Sequence, residues 1–365
     1  MVKILHFELD EKVGGIESFL YNIYSRIDRE KFQFDFVTRY DHPAKERELC
    51  VLGAHIYKIS SLKRISSYIR DISEIIGDYD IVHIHKNSAA NIIPFIMAGK
   101  NGRVKVISHS HNTAPSVSGF ATILHNWNKE KLWKLSDEHL ACSNLAGEWL
   151  YGNDRKYTVI RNGIPTTNYT YNRLNSNKVR DELNIPVTAR VLGNVGRFTK
   201  QKNQMYLVQM FNEILKKDSN SYLIIVGDGP LKDHIENYVK ELGITEHVKF
   251  LGVRNDINEI MQAIDVFIMP SLYEGLPIVA VEAQASGATM VLSDTISKET
   301  QLLPNVKWFS LKSSVDENVE LVMNLNLLSE EERKMANLCV KENGFDVENS
   351  VNTLQDIYAK LINKA

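Results

Sequence analysis

Cysteine is scarce in this chain, with three in 365 residues, Cys50, Cys142 and Cys339. They stand far apart and form neither a CxxC pair nor a zinc-ligand spacing, which points to a reduced, cytoplasmic setting. Proline is thin too, at nine residues, and no segment is of low complexity, which excludes collagen-like or extended Pro-rich chains. Long apolar runs are missing. The longest, near residues 92–98, falls far short of the about 20 residues that cross a bilayer. The first ten residues lack the apolar core and cleavage site of a secretory signal and read as a strand. Neither charge sign dominates: 43 Lys and Arg face 45 Asp and Glu, so nothing global calls for a nucleic-acid partner. The first 168 residues carry 22 Lys and Arg against 19 Asp and Glu, a mild excess that would suit an anionic membrane surface.

What is present is ordinary globular composition, 44% hydrophobic and 24% charged, in a chain too long for one core. Apolar β-type runs at residues 3–9, 32–39, 55–59, 81–85, 105–110, 139–142 and 157–160 alternate with amphipathic helical patterns such as 16–27 and 65–76. Near-continuous apolar strands separated by helices predict a parallel sheet covered on both faces. Residues 162–185, rich in Asn, Thr and Ser, read as a linker. A second round follows, with strands at 190–195, 222–226, 248–251, 266–269, 289–292 and 307–309 and helices at 203–216, 231–242 and 278–286. An amphipathic helix, 348–362, closes the chain. The expectation is two doubly wound α/β domains, residues 1–168 and 169–347. Ligands of such sheets bind beyond the carboxyl ends of the strands, so two facing domains would make a cleft there.

The chemistry-bearing residues follow strands. In LYEGLPIVAVEAQASG (272–287), Pro277 suits the first turn of a helix and Gly287 its end. The amides of Gly275, Leu276 and Ile278 at the helix mouth, with the helix dipole, offer a phosphate site. Glu274 and Glu282 flank it and can hold hydroxyls through charge-assisted hydrogen bonds. Glu282 lies in a helix otherwise built of Ile, Val and Ala, so it needs a buried partner. GRFTKQKN (196–203) supplies Arg197, a planar fork for phosphate oxygens, and Lys202, a second cation opening the next helix. Both suit a departing pyrophosphate as its charge builds.

Other motifs are weaker. Gly14 and Gly15 in GGIESF allow a tight turn and close approach to a ligand, although an ordinary βα turn explains them equally well. SHSHNT (108–113) ends a strand; His109 and His111, alternating with Ser110, are expected on opposite faces, with His111 nearest the strand end and able to orient a hydroxyl or exchange a proton. His83 and His85 read as packed or hydrogen-bonded strand histidines. GDGPL (227–231) reads as a βα turn, and the main chain around Val253 in FLGVRND can read a base edge. Asp78-Tyr79-Asp80 is a DxD, but it precedes a strand at the end remote from the cleft and reads as a solvated turn. No metal is expected.

As an ordered set, GGIE, the strand-end His, NGIP (162–165), GR…K, GDGP and the EGLP…E pair resemble the retaining glycosyltransferases of family 4, across almost the whole chain. The stretch HFELDEKVGGIESFLYNIY with ISHSHNT looks like the branch found in bacterial capsule and exopolysaccharide clusters. The resemblance implies the two-Rossmann GT-B fold, with the last helix, 348–365, crossing back onto the first domain. It implies that Glu274 holds the donor sugar and Glu282 the ribose, that Arg197 and Lys202 grip the donor diphosphate, that His111 is the catalytic-cleft histidine, and that Gly15 lies beside the phosphates. The implied donor is a nucleotide-sugar, a uridine one first, and the implied acceptor a carbohydrate or a lipid-linked oligosaccharide at the inner membrane face, with no cofactor. Lys58, Lys63, Arg64 and Arg70 can meet that surface. Pro277 departs from the pattern, because it removes an amide that many members keep. Two alternatives share the fold, a nucleotide-sugar 2-epimerase and a non-catalytic partner of another transferase. A nicotinamide dehydrogenase is disfavoured by the missing GxGxxG.

Overall fold

Strands that are apolar along nearly their whole length do form two parallel sheets with helices packed against them. The computed structural model describes residues 1–112 and 119–363; Thr113, the last residue of SHSHNT, and the final two residues lie outside this range. The chain divides into two units, Met1–Gly163 with Val347–Ala365, and Ile164–Asp346.

The first unit holds β1 (Val2–Leu9), β2 (Phe32–Thr38), β3 (Ile56–Lys58), β4 (Ile81–Lys86), β5 (Lys105–Ser110), β6 (Glu138–Ala141) and β7 (Thr158–Val159), in the order β3-β2-β1-β4-β5-β6-β7. The strand order reverses between β1 and β4, where their connections leave on opposite faces and open a crevice. On one face, Ile4, Phe34, Phe36 and Tyr24 pack with Val347, Val351, Leu354, Tyr358 and Leu361 of the helix Val347–Asn363. Apolar residues spaced by three and four give that helix its buried stripe. The Tyr358 hydroxyl meets His83 Nδ1 at 2.8 Å.

The second unit holds β8 (Arg190–Val195), β9 (Ser221–Val226), β10 (Val248–Phe250), β11 (Val266–Met269), β12 (Thr289–Ser293) and β13 (Val306–Phe309), ordered β10-β9-β8-β11-β12-β13. Here the reversal falls between β8 and β11.

Two expectations need correction. Residues 162–185 are not a linker. They hold a 3₁₀ turn, Thr166–Tyr169, and a helix, Arg173–Glu182, and all but Asn162 and Gly163 belong to the second unit, which begins at Ile164. Their polar composition is that of an exposed, capped helix: Asn172 Oδ1 accepts from Leu174 N at 2.8 Å, while Tyr169 and Val179 reach the core. The Asp78-Tyr79-Asp80 turn is solvated only at its carboxylates. Tyr79 is buried and donates to Asp35 Oδ2 at 2.7 Å, and Asp80 Oδ2 accepts from Lys3 N at 2.8 Å.

The second unit is pinned by one carboxylate. Asp265 Oδ1 accepts from Arg180 Nη2 at 2.8 Å and Arg333 Nη1 at 3.3 Å, and Asp265 Oδ2 accepts from Val191 N at 2.8 Å. Both arginines are buried. Asp265→Ala leaves two buried cations without their counter-charge, so urea unfolding should show a loss of about 3–5 kcal/mol. A change below about 1 kcal/mol, the range of surface ion pairs, would contradict this reading.

Candidate active site

Two loops leave the sheet at the β8/β11 reversal, residues 196–203 and 270–277, and one main-chain bond and two side-chain amides stitch them together. Leu272 N donates to Gln201 O at 2.8 Å, Gln201 Nε2 to Tyr273 O at 3.0 Å, and Asn203 Nδ2 to Pro270 O at 3.1 Å. The stitching brings Lys202 Nζ to 2.7 Å from Glu274 Oε1, with the two side chains only 20% and 12% exposed. This is an ion pair too oblique to be an aligned hydrogen bond. Lys202 therefore does not open the next helix as a free cation. That helix is Gln204–Lys217, and Asn203, at φ 56°, is its N-cap.

Arg197 lies on the same loop. Its side chain is exposed and has no ion-pair partner among the described residues, while its carbonyl is held by Gln204 Nε2 at 3.1 Å. The GDGP turn braces it. Gly227 and Gly229 have φ of 134° and 157°, and a Cβ at either would strike the backbone of Gly196 or Phe198. Only glycine lets the turn sit against the Arg197 loop. Sequence reasoning missed this role, although two glycines flanking one Asp after a strand are a signal for close backbone approach.

The helix Ile278–Ala285 begins at the expected residue, with Pro277 as its N-cap rather than in its first turn. The amides of Gly275, Leu276 and Ile278 make no hydrogen bond among the described residues, leaving donors at the helix mouth beside Lys202 and Glu274. Glu282 has its partner: the Tyr169 hydroxyl donates to Oε1 at 2.7 Å. Tyr169 comes from the segment that reads as a linker, so the pairing was invisible in the sequence. Val253 sits 78% exposed in the loop after β10, outside this cluster. That loop is tied to the GDGP turn by Gly227 N donating to Gly252 O at 2.8 Å.

The first unit has its own cluster at the β1/β4 reversal. Gly14 caps the helix Gly15–Tyr24, and Glu17 accepts from Gly14 N at 3.0 Å and Asp10 N at 3.1 Å. An acidic residue three positions past the cap is the available signal for that role. Gly15, Glu17, His85, Lys86, His111 and Asn162 line a pocket of about 540 Å³, and Lys86 is ion-paired with Glu8.

The expected opposite-face placement of His109 and His111 is wrong. Strand side chains repeat every two residues, and both rings lie on one face with centroids 4.1 Å apart. Burial pushes His111 down to about 3, so at neutral pH it is an uncharged hydrogen-bonding group rather than an acid. Ring nitrogens of His6, His83 and His85, and of His85, His109 and His111, lie within 4.8 Å of one another, a donor set that a divalent ion could use.

Burial also raises Glu282 from 4.5 to about 7, with the Tyr169 bond opposing the shift. An acid kept protonated by the fold contributes its stability in full below the unfolded value and loses it as pH rises through the folded one. Relative to Glu282→Gln, the parent chain should therefore lose roughly 3 kcal/mol between about pH 4.5 and 7 and run parallel above. Urea midpoints across that window check this, and parallel profiles throughout would contradict it.

Residues 13–168 match the family model described as Glycosyltransferase Family 4, and residues 175–338 match the one described as Glycosyl transferases group 1. The Bacillus subtilis protein named "Putative glycosyltransferase EpsF" is 29% identical over 98% of this chain and 96% of its own. The Escherichia coli UDP-Gal:alpha-D-GlcNAc-diphosphoundecaprenol alpha-1,3-galactosyltransferase is 24% identical over 99% and 97%. The crystal structure of Anabaena Alr3699/HepE in complex with UDP and glucose superposes with a TM-score of 0.76 at 19% identity, covering 98% of this chain and 100% of that one. With glycosyltransferase models matching both of its doubly wound units, the chain belongs to the glycosyltransferases of GT-B type.

Proposed function

We propose that the chain transfers a hexose or N-acetylhexosamine from a UDP-sugar to a carbohydrate acceptor, with retention of anomeric configuration and without a metal ion. The observation that carries this reading is the Lys202–Glu274 pair beside the free amides of the helix Ile278–Ala285. A diphosphate seated there competes with Glu274 for Lys202 and takes up the donors of Gly275, Leu276 and Ile278. Lys202 and Arg197 then stabilise charge as the bond from the anomeric carbon to phosphate oxygen lengthens. Glu274, released from Lys202, accepts from donor-sugar hydroxyls, and Glu282 accepts from the ribose. The acceptor hydroxyl attacks from the leaving-group face, and a phosphate oxygen takes its proton. Val253 offers main chain to the base, and Gly15 keeps the role beside the phosphates that the resemblance implies.

Two comparisons support the donor and acceptor classes. HepE is structurally similar and was solved with UDP and glucose. The E. coli relative's name specifies UDP-Gal, a diphosphoundecaprenol-linked GlcNAc and an alpha-1,3 product. A lipid-linked acceptor in capsule or exopolysaccharide synthesis would bring this chain to the inner membrane face as a peripheral protein. No helix among the described residues is long and apolar enough to cross a membrane. Of the basic residues named for that surface, Lys58 is paired with Asp41 and Arg70 with Asp71 and Glu74. Lys63 and Arg64 remain exposed.

Arg197→Ala and Lys202→Ala should each lower kcat by roughly 10²–10³-fold, the usual cost of removing one charge-stabilising donor. Proton NMR of the product should show the donor's anomeric configuration, and donor without acceptor should persist unchanged. Parental rates in both variants would remove the phosphate assignment, and epimerisation of donor alone would overturn the transferase reading.

A further inference from the structure

The first strand breaks its own alternation at one residue. Ile4 packs on the face of Phe34 and Phe36, and the His6 ring lies against the same two rings. Leu5 and Phe7 pack on the other face with Val82 and Ile84 of β4. Period two would send Glu8 after His6 and Leu9 after Phe7. Instead Leu9 rejoins Ile4 and Phe34, and the pairing with β2 jumps from Phe7–Val37 to Leu9–Thr38. Glu8 is thus the extra residue of a β-bulge. Its φ of 80° is left-handed, a conformation that strains any residue but glycine.

The bulge has a clear effect on one side chain. Lys86 shares its face of β4 with Val82 and Ile84, so a regular β1 would hold the Glu8 carboxylate on the opposite side of the sheet. Bulges re-aim side chains, and this one turns Glu8 over to Lys86, whose Nζ donates to Glu8 Oε1. The Lys86 side chain is 4% exposed and that of Glu8 31%. An apolar residue at 86 on a regular strand would need neither a buried ammonium nor a strained backbone. What the pair faces supplies the reason for it.

Both residues line the pocket of about 540 Å³ in the first unit, a size that suits a small ligand. Its lining carries three carboxylates, Glu8, Asp10 and Glu17, and three cations, Lys12, Arg39 and Lys86, so no net charge draws an anion. Glu17 is committed to two backbone amides and Asp10 to Lys12 N. Among the described residues, Glu8 Oε2 accepts no hydrogen bond, and Lys86 Nζ, with three N–H groups, donates only one. A free acceptor therefore sits beside free donors on a pair of zero net charge. A hydroxyl both donates and accepts, and two neighbouring hydroxyls match that arrangement. Ile16 and Leu62 add apolar wall for the C–H faces of a ring. A phosphate or carboxylate would meet the charge of Glu8.

We infer that Glu8 and Lys86 are a specificity-determining pair for a neutral sugar, Glu8 accepting from one ring hydroxyl and Lys86 donating to its neighbour. That this sugar is the acceptor rests on the transferase reading, which gives the donor's contacts to the second unit; that a neutral sugar binds at the pair does not.

The test is saturation-transfer NMR titration of the full chain with the methyl glycosides of glucose, galactose and N-acetylglucosamine, beside methyl glucuronide and glucose 6-phosphate. At least one neutral glycoside should bind, and more tightly than either charged probe. Lys86→Met should weaken it about tenfold or more, the usual loss for a hydrogen bond to a charged group, with the affinities for UDP and UDP-glucose unchanged. The double variant Glu8→Gly with Lys86→Met removes the strain and the pair together. It should lose the glycoside and melt no lower than the parent. Preference for a charged probe would overturn the inference, as would a parent that binds none of the neutral glycosides. A double variant that keeps the glycoside, or that melts several degrees below the parent, would make the pair a scaffold and overturn it too. Weakening of UDP-glucose but not of UDP in Lys86→Met would move the pair to the donor and overturn the acceptor role. A glycoside held by the pair in a chain that transfers no sugar would sink the function and leave the sugar site standing.

Discussion

The ion pair between Lys202 and Glu274 is the constraint on which the second unit's chemistry depends. The two residues are remote in sequence and meet because β8 and β11 are neighbours at the point where strand order reverses. Everything at the mouth of the helix Ile278–Ala285 follows from that adjacency. A cation is held next to unpaired amides, and a carboxylate is held next to the cation. The two charges satisfy each other and avoid the cost of burying either alone. On the proposed reading, a diphosphate competes for Lys202 and leaves Glu274 to the sugar.

Much of this was legible from sequence alone because parallel α/β folds give a strong signal. Apolar runs marked the thirteen strands of the described residues to within about two residues, and the rule that ligands sit beyond strand ends picked out the loops holding Lys202, Glu274 and Gly15. What was not legible depends on pairings between distant segments. Tyr169 serves Glu282 from a stretch whose Asn and Thr content looked like a linker, yet Asn172 caps a helix there. Gly227 and Gly229 matter because of Gly196 and Phe198, which periodicity cannot connect to them. The placement of His109 and His111 was a different failure, since period-two geometry alone puts them on one face.

Burial favours the uncharged form of titratable groups in both units, raising a carboxyl in one and lowering imidazoles in the other. In the second unit it holds Glu282 near neutrality, with one hydroxyl donor to offset the cost. In the first it removes the charge from five imidazoles altogether, and hydrogen bonding among the rings replaces water. His111 therefore contributes direction rather than charge. On the proposed reading, the charged work falls to Lys202, Arg197 and the helix mouth, where a departing diphosphate would be the main electrostatic event.

Hydrogen–deuterium exchange with and without UDP tests this most directly. UDP should slow exchange of peptides spanning residues 270–280 and 196–203, where the amides of Gly275, Leu276 and Ile278 gain an acceptor. Saturating UDP that leaves those two loops unprotected, or protects only loops elsewhere in the chain, would contradict the account.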